Sequence, residues 1–74
     1  MPYYTFSVTR RHALDTVGDV LTAATETAAL AEADARLAAE VGGWCAWVAR
    51  CDPDGRVLAE WSRTCDRATW ALSL

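Results

Sequence analysis

The chain has 74 residues, a net charge of −3 and an apolar content of 53% that includes four tryptophans. One domain spanning residues 1–74 fits that length and two do not, since a chain so short buries only about 60% of the surface its unfolded form exposes. The apolar content excludes a disordered polypeptide, and ten acids against seven arginines, with no lysine, disfavour direct nucleic-acid binding.

Residues 1–6 have neither the basic start nor the apolar run of a secretory signal. The longest apolar stretch, residues 44–49, falls far short of the roughly 20 needed to span a bilayer. Three cysteines, an odd number, argue against a closed disulfide framework. A cytoplasmic protein with no membrane partner is expected. A core this small supplies only about 3–5 kcal/mol, so a second copy of the chain is a common recruit. Isoleucine, asparagine and glutamine are absent along with lysine, which fits a GC-rich coding sequence and bears on no mechanism.

In chain order, residues 3–9 are aromatic and β-branched and alternate, with Tyr4, Phe6 and Val8 on one face and Thr5, Ser7 and Thr9 on the other. They predict a first strand. Residues 10–24 are less patterned; a turn is expected around Gly18, followed by a short strand at Val20 and Leu21. A helix is predicted from an N-cap at Thr25 to Val41, ended by Gly42 and Gly43. Glu26 lies in its first turn, where the dipole favours an acid. Its core face would carry Leu30, Ala33, Leu37 and Val41, and Glu32, Arg36 and Glu40 a solvated one.

Residues 44–51 and 56–63 are strand-like and flank Asp52, Pro53, Asp54 and Gly55, a strong hairpin signal. A type I turn with a glycine bulge would set Cys51 opposite Val57, Ala49 opposite Ala59, Trp47 opposite Trp61 and Cys45 opposite Arg63. A last strand is expected over residues 67–74, its Trp70 free to join either side of the sheet. The fold class is therefore α+β: a small antiparallel sheet in the order β-α-β-β, with extra strands, and one helix packed on one face.

Candidate chemistry is sparse. His12, the one histidine, lies near Asp15, which would suit a general base and its orienting partner; a lone histidine in a polar connection reads better as a surface residue. Cys45, Cys51 and Cys65 lack zinc-site spacing, and Cys45 and Cys51, about 20 Å apart along a strand, cannot bridge each other. Cys65, beyond the hairpin, is the expected free thiol, with an approach to Cys45 as the alternative if the chain turns back. Asp52 with Asp54, and Glu32 with Glu40, are explained by a turn and a helix surface. No nucleophile elbow, phosphate loop or dinucleotide fingerprint occurs, so no cofactor or metal is expected. Arg10 and Arg11 beside Tyr3 and Tyr4 could grip a phosphate backbone, against the acidity of the whole.

The tryptophans are the informative feature. One helix covers one sheet face, and the expected pairing puts Trp47 and Trp61 under it. Trp44, Val48, Arg50, Leu58 and Glu60 would then lie on the reverse, with Trp70, as a partner-binding surface of the aromatic and arginine composition typical of binding hot spots. In format, as a short acidic domain with a tryptophan-bearing hairpin over residues 44–63 and no catalytic motif, the chain resembles the small inhibitors encoded by phages and mobile elements, of which the anti-CRISPR proteins are the best-known group. That resemblance implies a non-enzymatic protein that blocks a bacterial defence complex by occupying a surface on it. It assigns no role to any single residue. Two other readings stand beside it: a structural or accessory homodimer joined through the same face, and a small enzyme or redox factor using His12 or Cys65.

Overall fold

A computed structural model describes residues 1–10 and 16–73. The chain is α+β, with one helix and a five-stranded antiparallel sheet. Its elements run β1 (Tyr3–Arg10), β2 (Thr16–Val20), α1 (Glu26–Ala39), β3 (Gly43–Cys51), β4 (Val57–Thr64) and β5 (Ala71–Leu72). In space the strands lie in the order β2-β1-β3-β4-β5.

The first strand forms where the alternation places it, and Tyr4, Phe6 and Val8 are all buried. Gly18 corrects an expectation. It is no turn residue but the middle of β2, opposite Ser7, and its φ is not positive. An edge strand tolerates such a glycine because only one side of it must pair. The connection between β1 and β2, with His12 and Asp15, lies outside the described residues.

Thr25 caps the helix as expected, its hydroxyl accepting from the Ala28 amide at 3.3 Å. The helix ends two residues before the predicted Val41, at Ala39, and Gly42 at φ 75° turns the chain toward β3. Val41 is therefore 89% exposed and belongs to no core face. Ala29, Ala33 and Leu37 are the buried side of the helix, and they close over Tyr4, Phe6, Val8, Ala46, Val48 and Trp61.

The largest correction concerns the hairpin. Gly55, at φ 90°, makes the turn, and Cys51 pairs with Val57 as expected. The register then slips by one residue: Arg50 pairs with Ala59, Val48 with Trp61, and Trp47 with Ser62. A bulge adds one residue to one strand, and a shift of one exchanges the two faces of every residue beyond it. Trp61 consequently stays under the helix while Trp47 goes to the reverse. Packing explains the choice. A helix whose buried side is mostly alanine lies close to the sheet, and Ala46 and Val48 fill the gap with no exposed surface, where an indole at the centre would hold the layers apart.

The last strand is shorter than expected, two residues paired with Trp61 and Ser62 in place of eight. Before it the chain turns twice, with the Cys65 amide donating to the Trp44 carbonyl at 2.8 Å and the Arg67 amide to that of Thr64 at 3.1 Å.

Candidate interaction surface

Because the register fixes which side chains share a face, the reverse of the sheet can be laid out in rows. The central row runs Ser7, Trp47, Ser62 across β1, β3 and β4; on one side lies Thr5, Ala49, Glu60, and on the other Thr9, Cys45, Thr64. Trp47 is the one large side chain in those three rows, and all its immediate neighbours are small. The helix packs on the other face, and every residue of the three rows is half-buried. Leu58, the extra residue at the hairpin bulge, is 47% exposed.

The face is rich in hydroxyls, and the Thr64 hydroxyl donates to the carboxylate of Asp66 at its edge. Glu60 is the acid of those rows, and no base lies in them. At one corner a cleft of about 200 Å³ opens among Cys45, Ser62, Thr64, Thr69 and Arg67. Neither the Glu60 carboxylate nor the Arg67 guanidinium has an ion-pair partner among the described residues. Burial raises the Cys45 thiol above its ordinary pKa, which keeps it protonated and a poor nucleophile. Cys51 is buried and Cys65 exposed, and all three thiols are free.

The expected surface does not form as one patch. Val48 is fully buried beneath the helix and closed to any partner, because the slipped register placed it on the covered side. Arg50, exposed, pairs with Tyr4 and Ala59 at the other end of β3. Trp44 sits half-buried at a second bulge, between Gly43 paired with Arg10 and Cys45 paired with Thr9. Trp70 packs against the core from the helix side, its indole N–H donating to Asp34 at 2.8 Å. Glu60 remains on the reverse, and Leu58, exposed, is the extra residue at the bulge. Trp47, Ser7, Ser62 and Arg67 were missed, and the signal that could have found them is the polar run Glu60, Ser62, Thr64, which marks the solvent side of β4 and fixes Trp61 as its core side.

The charged residues of the helix do not form a solvated face either. Arg36 reaches Asp19 of β2 at 3.0 Å and Glu32 at 3.4 Å, while Glu32 accepts from the Thr22 hydroxyl at 2.9 Å. Arg10 pairs with Glu40 at 2.6 Å, and on the opposite flank Asp34 accepts from both Arg63 and Trp70. The Arg36 hydrogen bond holds Asp19 below the usual carboxylate range, and the Thr22 hydroxyl does the same for Glu32. These contacts fasten the helix along both sides.

Among the described residues no three of His, Cys, Asp and Glu converge as metal ligands would, and no helix is long and apolar enough to cross a membrane. The class that fold and surface define is a single sheet with one helix across one face and a hydroxyl-lined reverse around one indole. No protein-family model matches the chain, and no curated protein or solved structure shows significant similarity to it.

Proposed function

We propose that the chain is a non-enzymatic protein-binding module whose contact surface is the reverse face of the sheet, centred on Trp47. The observation that carries this reading is a half-buried indole at the middle of the sheet's reverse face, with serine beside it on both neighbouring strands and threonine, alanine, cysteine and one glutamate around it. An aromatic anchor among small hydroxyl groups is the composition of protein-recognition surfaces, in which the rigid ring supplies area and the hydroxyls supply adaptable hydrogen bonds. The absence of bases from the three rows weighs against a phosphate backbone as the ligand.

The finer form of the proposal is an inhibitor that occupies a surface on a bacterial defence complex. Its support is the format of the chain: short, acidic, one helix on a small sheet. The test uses Ser62→Arg and Ser7→Arg, which plant a long cation beside Trp47 without touching the helix side. A tagged wild-type chain is expected to retain a partner from bacterial lysate that both variants lose while unfolding at the wild-type temperature. Equal retention by all three would rule out this face.

A further inference from the structure

We infer that Asp19 guards the open edge of the sheet: its carboxylate occupies the outward-facing amide of Val20 and so keeps β2 from pairing with the β2 of a second copy. The device lies at the margin of the sheet and does not rest on the reverse face as a contact surface.

Among the described residues β2 pairs on one side only, with β1, and its outer side presents backbone groups that another strand could bond. The Leu21 amide donates to the Tyr4 carbonyl at 2.8 Å. By the alternation of an antiparallel pair, Asp19 and Val17 likewise direct their backbone groups toward β1. The amides and carbonyls of Thr16, Gly18 and Val20 therefore point outward, and all three residues are exposed. Sheets protect such edges by short strands, by proline or lysine, or by a charge set across them. At the other margin β5 is only two residues long. β2 has five, with neither proline nor lysine, and its one charge is Asp19. One Asp19 oxygen accepts from the Val20 amide at 2.8 Å, and the other is held by Arg36 at 3.0 Å. The helix thus fixes the carboxylate against the edge.

The strand that fits this edge is β2 itself. Its outward groups are spaced symmetrically about Gly18, so a twofold axis through that glycine sets Gly18 opposite Gly18 and Val20 opposite the partner's Thr16. Each such pair could exchange hydrogen bonds in both directions. Asp19 opposes the pairing in two ways. It withdraws the Val20 amide, which leaves the partner's Thr16 carbonyl without a donor at both ends of the ladder. It also sets like charges across the junction. With Asp19 opposite the partner's Val17, the two Asp19 residues are diagonal neighbours about 7–8 Å apart, within one screening length of about 8 Å.

The test compares the wild type with Asp19→Ala by sedimentation equilibrium from about 5 to 300 μM, a range that brackets micromolar association. Any association through the reverse face is common to both. Asp19→Ala is expected to associate at least about tenfold more tightly than the wild type. Its Gly18 amide should exchange with solvent at least about tenfold more slowly than that of the wild type at the top of the range. Gly18→Pro, added to Asp19→Ala, removes an outward donor at an edge position and should return association to the wild-type level. Glu32→Gln loosens the same flank of the helix but leaves the Val20 bond in place, and should behave as the wild type. Circular dichroism melts establish which proteins are folded; if the proline variant is not, the Gly18 amide decides alone. Equal association of Asp19→Ala and the wild type overturns the proposal, and so does an unprotected Gly18 amide in the variant. Association that Gly18→Pro leaves intact in a folded protein, or that Glu32→Gln reproduces, puts the contact elsewhere and overturns it as well.

Discussion

Val48 lies between Phe6 and Trp61, its two cross-strand neighbours, with the alanines of the helix above it and no exposed surface. Shortening it to alanine removes two buried carbons from a site the rigid sheet cannot close. Val48→Ala is therefore expected to cost about 2–3 kcal/mol. That is a large share of the roughly 4–11 kcal/mol expected for a domain of this size. Trp47, one residue earlier, points to the opposite face and is half-open. Trp47→Ser forfeits only part of its contact, and the monomer should lose about 1 kcal/mol. Urea midpoints measured at low micromolar concentration, where self-association does not contribute, decide the order; a larger loss for Trp47→Ser than for Val48→Ala would mean that the indole belongs to the core.

At the scale of elements, the helix is held by two flanks of polar contacts as well as by its buried alanines. On the first flank Asp19 and Glu32 are ionised more readily in the folded protein than when unfolded, through the Arg36 and Thr22 contacts respectively. Groups with a depressed folded pKa contribute stability that is complete above the unfolded value and is lost as the pH falls through the folded one. Stability is thus expected to hold from neutrality to about pH 5 and then to decline below the ordinary carboxylate value of about 4. Arg36→Ala should flatten that decline by removing the main cause at Asp19, leaving the part at Glu32 that depends on Thr22. Thermal melts from pH 7 to pH 3 check it, and an unaltered slope in the variant would show that these carboxylates do not link folding to pH.

The same elements show what was readable in the residues. The first strand, the N-cap at Thr25, the hairpin turn and the single helix follow from local rules, each acting over a few positions. The register beyond Cys51 does not. One extra residue in β4 changes which face every later residue occupies, and no glycine or proline marks the site. What decides it is the thinness of the layer beneath Ala29 and Ala33, a property of the packed molecule. The charged flanks were hidden for a related reason: Glu32, Arg36 and Glu40 have the spacing of a solvated stripe, and only β1 and β2 lying alongside turn that stripe into ties.

For the whole molecule, β3 is the hub, paired along its length with β1 and β4, while β5 contributes two residues at the edge. Cooperative stability should accordingly fall from the centre outward. The C-terminal segment is kept in place by few bonds: the Ser73 amide donates to the Glu60 carbonyl at 2.8 Å, and Trp70 and Arg63 converge on Asp34. Arg63 is mostly buried, so removing its carboxylate partner leaves a cation and an indole N–H to compete for water. Asp34→Ala should destabilise the fold globally by about 1 kcal/mol, because the carboxylate itself is half-exposed and its pairing is screened. Locally the effect is larger in kind: the Ser73 amide, held only while the segment is docked, should exchange with solvent at least about tenfold faster than in the wild type. Amides at the centre of β3, which exchange only by global opening, should accelerate by no more than the global loss allows. Native-state hydrogen exchange resolves the two groups. Equal acceleration at Ser73 and at the centre of β3 would mean that the edge and the hub open as one unit and that Asp34 holds the whole fold, not its last strand.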